Sequence, residues 1–145
     1  MNLLFGFNGR IGRGAYWLGI LIMIIVSFVG VGLAFWLYYG GFEEFAKIFE
    51  GMQGLDNNDP QAMQQYMQEI QPQLQVAQLV VLVGSLPGTY MAFAIFVKRL
   101  HDKGYTGWMS AFMLLPLVNF IMLLWLGFAR GQDGPNEYGP SLRAA

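Results

Sequence analysis

His101 and Asp102 stand side by side, and the chain has no other histidine. A histidine titrates near neutrality and a carboxylate can fix its tautomer, so the pair could move a proton. Sequence neighbours on a helix, however, do not face each other. No nearby serine, cysteine or second histidine completes a catalytic set. The heavier reading is structural, with Arg99 pairing with Asp102 at three-residue spacing and His101 standing at headgroup level.

Metal chemistry has little to work with. One histidine and no cysteine cannot build an ordinary zinc site. Met52, Met63 and Met67 could offer soft thioethers to Cu(I), but methionine at helical spacing is far more often packing filler. Asp56 and Asp59 lack the alternating oxygen ligands of a calcium loop. The absence of cysteine also removes disulfides, iron–sulfur ligation and thiol catalysis. We therefore expect no catalytic residue, metal or cofactor, and no enzyme.

The elements that must position these residues are written in hydropathy. Three stretches carry no charged residue, about 16–38, 76–97 and 108–128. Each has the roughly 20 apolar residues that a helix needs to cross a bilayer. The composition is 55% hydrophobic and 12% charged, about half the charged share usual for soluble domains. So short a chain could not hide that apolar surface in a core. The first stretch is longer than a secretory h-region and runs into Phe35, Trp36 and Tyr38, which favours an uncleaved anchor. The expected architecture is one all-α membrane domain over 1–145, with three transmembrane helices.

Charge orients the spans. Arg10 and Arg13 precede the first, and Lys98, Arg99 and Lys103 lie between the second and third. The 40–75 connection carries Glu43, Glu44, Glu50, Asp56, Asp59 and Glu69 against Lys47. Basic flanks stay cytoplasmic. The amino terminus and second loop are then inside, the acidic connection outside, and the 130–145 tail outside after three crossings. In that tail Arg130 and Arg143 balance Asp133 and Glu137, so its own charge adds little.

The outer connection reads as an amphipathic helical hairpin. Phe42, Phe45, Phe49 and Met52 recur at helical spacing, and Gly51 and Gly54 would end that helix. Asp59 followed by Pro60 is a helix start. Met63, Tyr66, Met67 and Ile70 make the second helix's apolar stripe, with a bend expected at Pro72. Within the spans, Gly84, Gly88 and Ala92 form a small-residue packing face, and Gly30 and Ala34 a shorter one. Packing within one chain outweighs dimerisation there. Pro87 and Pro116 are candidate kinks.

Arg10, Arg13, Lys98, Arg99, His101, Asp102 and Lys103 gather as a polar collar at the cytoplasmic interface, with Trp17 and Trp108 as headgroup anchors. Such a collar could hold anionic lipid at about 1 kcal/mol per basic residue, although setting topology needs no ligand. It offers too small a footprint for nucleic acid. No span contains an internal ionisable group, which makes a poor carrier monomer. An oligomeric pore lined by Ser27, Ser85, Thr89 or Asn119 is the alternative.

Three motifs carry a resemblance. They are Phe7-Asn8-Gly9-Arg10-Ile11-Gly12-Arg13-Gly14-Ala15-Tyr16-Trp17, Lys98-Arg99-Leu100-His101-Asp102-Lys103-Gly104-Tyr105-Thr106-Gly107-Trp108, and Gly131-Gln132-Asp133-Gly134-Pro135-Asn136-Glu137-Tyr138-Gly139-Pro140. In this order they resemble the domain of unknown function 805 family, the YhaH-like bacterial inner-membrane proteins. The resemblance spans everything but the 40–75 connection. It implies a small multi-pass protein of the bacterial inner membrane and no activity. It also implies that Arg10, Arg13, Arg99, His101 and Asp102 form one cluster, with the closing motif a rigid turn on the other side and Tyr138 an interface anchor. The functional expectation is a non-catalytic accessory or assembly subunit, or a lipid-organising scaffold, partnered by lipid and by another membrane protein or itself. A small oligomeric channel or carrier is the alternative.

Overall fold

Twenty-seven residues from Arg13 to Tyr39, apolar and free of proline, form helix α1. The computed structural model describes residues 4–41, 43–55 and 59–142, the side chains of Glu44, Phe45, Ile48 and Phe49 excepted. Helix α2 covers Glu43–Gln53, α3 covers Pro60–Asp102, and α4 covers Pro116–Phe128, with a 3₁₀ segment at Gly107–Leu114 before α4. No strand occurs among the described residues. Phe42, Asp56 and Arg143 lie outside them, so the apolar stripe expected on α2 is represented by Met52 alone.

Two helices, α1 and α3, are long and apolar enough to cross a membrane. In α1 only 17% of the most apolar window is buried, and Leu21, Ile25, Phe28, Val29 and Leu37 are all more than half exposed. Water does not tolerate a continuous apolar face of that kind. Helix α3 has 43 residues, about 65 Å at 1.5 Å per residue, roughly twice a bilayer's hydrocarbon thickness.

That length corrects one expectation. The second helix of the outer connection and the second span are one continuous helix, which runs through Pro72. Pro72 and Pro87 both lie inside α3 and are exposed. Each removes a backbone hydrogen bond and presses its ring on the carbonyl four residues back, and the helix continues through both. The helix starts where Asp59 Oδ1 accepts from the backbone N–H groups of Gln61 at 3.0 Å and Ala62 at 3.2 Å, with Pro60 in the first turn. It ends on a Schellman motif. Gly104 takes φ +75°, its N–H donates to His101 O and that of Tyr105 to Leu100 O. Helix α3 therefore continues past the apolar stretch that ends at Val97, as far as Asp102.

The third apolar stretch is also corrected, since it is not one helix. Leu115 sits at φ −94°, ψ 113°, because a residue before proline is pushed out of the helical region. Pro116 thus breaks the segment into eight 3₁₀ residues and thirteen α-helical ones. The latter span about 20 Å, too short to cross alone.

The chain divides into two compact units, Val26–Pro87, and Met1–Ile25 with Gly88–Ala145. In the first, Phe35, Ala77 and Val80 form a small core with Val31, Ala34 and Val76 around it. Gly30 and Gly84 bring the two backbones together, and a Cβ on Gly84 would stand 2.7 Å from Val31 Cα. Small residues permit this approach in membrane helices. Of the predicted packing face, Gly84 is spent within the chain; Gly88 is buried and Ala92 half-buried. In the second unit, Tyr16, Ile95, Phe96, Leu100 and Leu126 are all but fully buried.

Candidate functional site

The buried charges of the second unit come from both ends of the sequence. Helix α3 delivers Arg99 and Asp102 to one face of its last turn, and the extended segment before α1 delivers Arg10. Exposure is 2% for Arg10, 0% for Arg99 and 2% for Asp102. Asp102 divides its carboxylate between the two guanidinium groups. Oδ1 accepts from Arg10 Nε at 3.2 Å and Nη2 at 3.1 Å, and Oδ2 pairs with Arg99 Nη1.

Two cations against one anion leave the buried set positive, and backbone carbonyls supply the rest. Arg99 donates to Leu126 O and Ala129 O, both at 2.7 Å, and to Ile11 O at 3.2 Å. Arg10 donates to Gln132 O and Gly134 O, both at 2.7 Å, and to Gly139 O at 3.4 Å. A buried charge is tolerable only when paired and hydrogen-bonded, and these carbonyls complete that requirement. The same bonds fasten the amino-terminal segment, the end of α4 and the tail to the last turn of α3. A small, partly open pocket remains beside Arg10, Arg13, Arg99, Asp102 and Gln132.

His101 does not face Asp102 productively. Its Nδ1 lies 3.2 Å from Gly9 O, and its ring stacks on Tyr138 with centroids 3.8 Å apart and planes 2° from parallel. Tyr138 is thus part of the cluster. A hydrogen bond to Glu137 holds its phenol above the usual tyrosine pKa. Asn136 Nδ2 donates to His101 O at 2.9 Å, Asn136 Oδ1 accepts from Tyr138 N at 3.0 Å, and Gln132 N donates to Asp102 O at 2.7 Å. The closing motif is a turn, as an asparagine so placed favours. It packs against Arg10 and His101, however, and does not lie away from them.

The other collar residues scatter. Lys98 is 1% exposed, with Nζ donating to Phe5 O at 3.3 Å. Lys103 Nζ stands 4.5 Å over the Trp125 ring, a cation–π contact. Arg13 is exposed and makes a long 3.5 Å bond to Phe128 O. Trp17 packs on Phe128, whereas Trp108 is 88% exposed. Sequence reasoning missed Tyr16, fully buried with its hydroxyl donating to Leu123 O at 3.1 Å, and Gln132. Among the described residues, no group of three or more metal-ligating side chains gathers.

Both ends of the third apolar stretch lie at this last turn of α3. At its start, a Cβ on Gly107 would be 2.9 Å from Val97 and 3.3 Å from His101 Nε2. At its end, Leu126 and Ala129 accept from Arg99. The segment leaves and returns as a hairpin turning at Leu115.

Fold and site together define an all-helical protein with two membrane-length helices and a buried arginine–aspartate knot closed by its own tail. The chain belongs to the family described as Protein of unknown function (DUF805), whose model matches residues 4–140. No curated protein and no solved structure matches it.

Proposed function

We propose that this is a bacterial inner-membrane protein with two full crossings and one re-entrant apolar hairpin, which works by contact and not by catalysis. It serves as an accessory or assembly subunit of a larger membrane complex, or as a scaffold that organises anionic lipid. The observation that carries this reading is the saturation of the Arg10–Arg99–Asp102 knot. Every buried side-chain nitrogen and oxygen among the described residues has a hydrogen-bond partner. Groups committed to holding three chain segments together are poorly placed to serve as acid, base or ligand. Meanwhile the apolar surface around them is extensive, as a protein that acts through lipid and neighbouring helices requires.

The hairpin revises the topology. A segment that enters and returns keeps the tail on the side of the amino terminus. Arg13, Lys103 and Arg130 then share the cytoplasmic face, in keeping with the distribution of basic residues. The 3₁₀ segment satisfies its backbone groups by its own i→i+3 bonds, as a segment at membrane depth requires, and it packs against α4. The 40–75 connection faces outward.

Native purification in mild detergent tests the function. Co-purification of a stoichiometric membrane partner or a defined anionic lipid supports it. Recovery as a lone, lipid-free monomer, together with solute flux in liposomes lost on His101→Ala, replaces it with a carrier.

A further inference from the structure

The outer half of α3 carries an unusual row. Gln61, Gln64, Gln68, Gln71, Gln75 and Gln78 follow one another at spacings of 3, 4, 3, 4 and 3, and all are exposed. That is the a/d pattern of a heptad repeat. It lies away from the packed face of α3, where Ile70, Ala77 and Val80 are buried. Glu69 is the only charge between Pro60 and Gln75. A solvated helix face carries charged or polar residues; this one is built almost wholly of neutral amides. The row does not stop at the apolar boundary. Gln78 sits between Ala77 and Leu79, and Ser85 continues the register one heptad later.

We infer that this glutamine row is a homodimerisation seam, by which α3 of one copy packs in parallel against α3 of a second copy. Two copies in one membrane with the same orientation are related by a two-fold axis along the normal, so each presents the same row to the other. A glutamine amide both donates and accepts, so a row of them is its own complement, which no charged row would be. A regular 3.5-residue spacing keeps such a seam in contact along its length. At Gln78 the driving force is strongest, since an amide facing hydrocarbon costs free energy until it finds a partner. The small-residue face at Gly84 is not available for this purpose, being closed against Gly30 and Val31. The inference rests on the membrane reading above and names one partner within it.

The native chain has no cysteine, so single-cysteine variants can be read without background. Gln64→Cys, Gln68→Cys, Gln71→Cys and Gln75→Cys are oxidised in native membranes beside Gln65→Cys, Glu69→Cys and Gln73→Cys, which are equally exposed but off the row. Disulfide-linked dimer is expected at the first four and weak or absent at the last three. Gln71→Glu with Gln75→Glu is expected to lower the dimer association constant roughly tenfold or more, because like charges then face each other across the two-fold seam. Cross-linking that ignores the periodicity, or none on the row, overturns the seam, as does undiminished association of the double variant. Carbonate extraction of the same membranes separates the two levels. An integral chain without periodic cross-links sinks the seam alone, whereas an extractable chain sinks the membrane reading.

Discussion

Arg10 and Asp102 are 92 residues apart, yet two nitrogens of Arg10 reach the same carboxylate oxygen of Asp102. This ion pair is buried on both sides and has Arg99 as its third member. It ties the segment before the first helix to the last turn of α3, and through the carbonyls of Gln132 and Gly134 it ties in the tail.

Removing the carboxylate should therefore be costly. Asp102→Ala leaves two buried guanidinium groups without an anion, a loss of about 3–5 kcal/mol of stability. Arg10→Met leaves Asp102 paired with Arg99, so its penalty should be smaller. Thermal unfolding in detergent ranks the two variants, and equal midpoints for Asp102→Ala and the native chain would show that the knot holds nothing.

The hairpin at Leu115 makes a prediction about sides. Single cysteines replacing Asn8 and Glu137 should react with a membrane-impermeant maleimide from the same side, and one replacing Gln53 from the opposite side. Labelling of position 137 together with position 53 would restore the third full crossing.

Gly84 is packed against backbone, not exposed as a free face. Gly84→Val should cost about 1–3 kcal/mol by overpacking against Val31, and Gly84→Ala less. Unfolding midpoints measure this. A Gly84→Val variant as stable as the native chain would mean that α1 and α3 are not in contact at this point.

Tyr138 closes the tail over His101 by ring stacking. Tyr138→Phe keeps the ring and should leave the tail as resistant to limited proteolysis as before. Tyr138→Ala should expose cleavage sites around Asp133–Tyr138. Cleavage raised equally in both variants would assign the tail's order to the phenol hydroxyl instead.

What the sequence determined by itself is local. Uninterrupted apolar length in α1 and α3 depends on composition within one segment, as do the helix start at Asp59 and the i, i+3 pairing of Arg99 with Asp102. The three motifs that mark the family are equally local, and they named the residues that converge without saying how. Tertiary structure decided the rest. A charge-free stretch of 21 residues has the length of a span, but its path depends on whether Leu115 can stay helical ahead of Pro116, and on the bonds from Arg99 that pull Leu126 and Ala129 back to the start. The tail's position follows from Arg10, whose donors find carbonyls more than 120 residues away. No periodicity records such a bond, because a buried cation selects its acceptors by proximity in space, and that proximity exists only once the chain has closed.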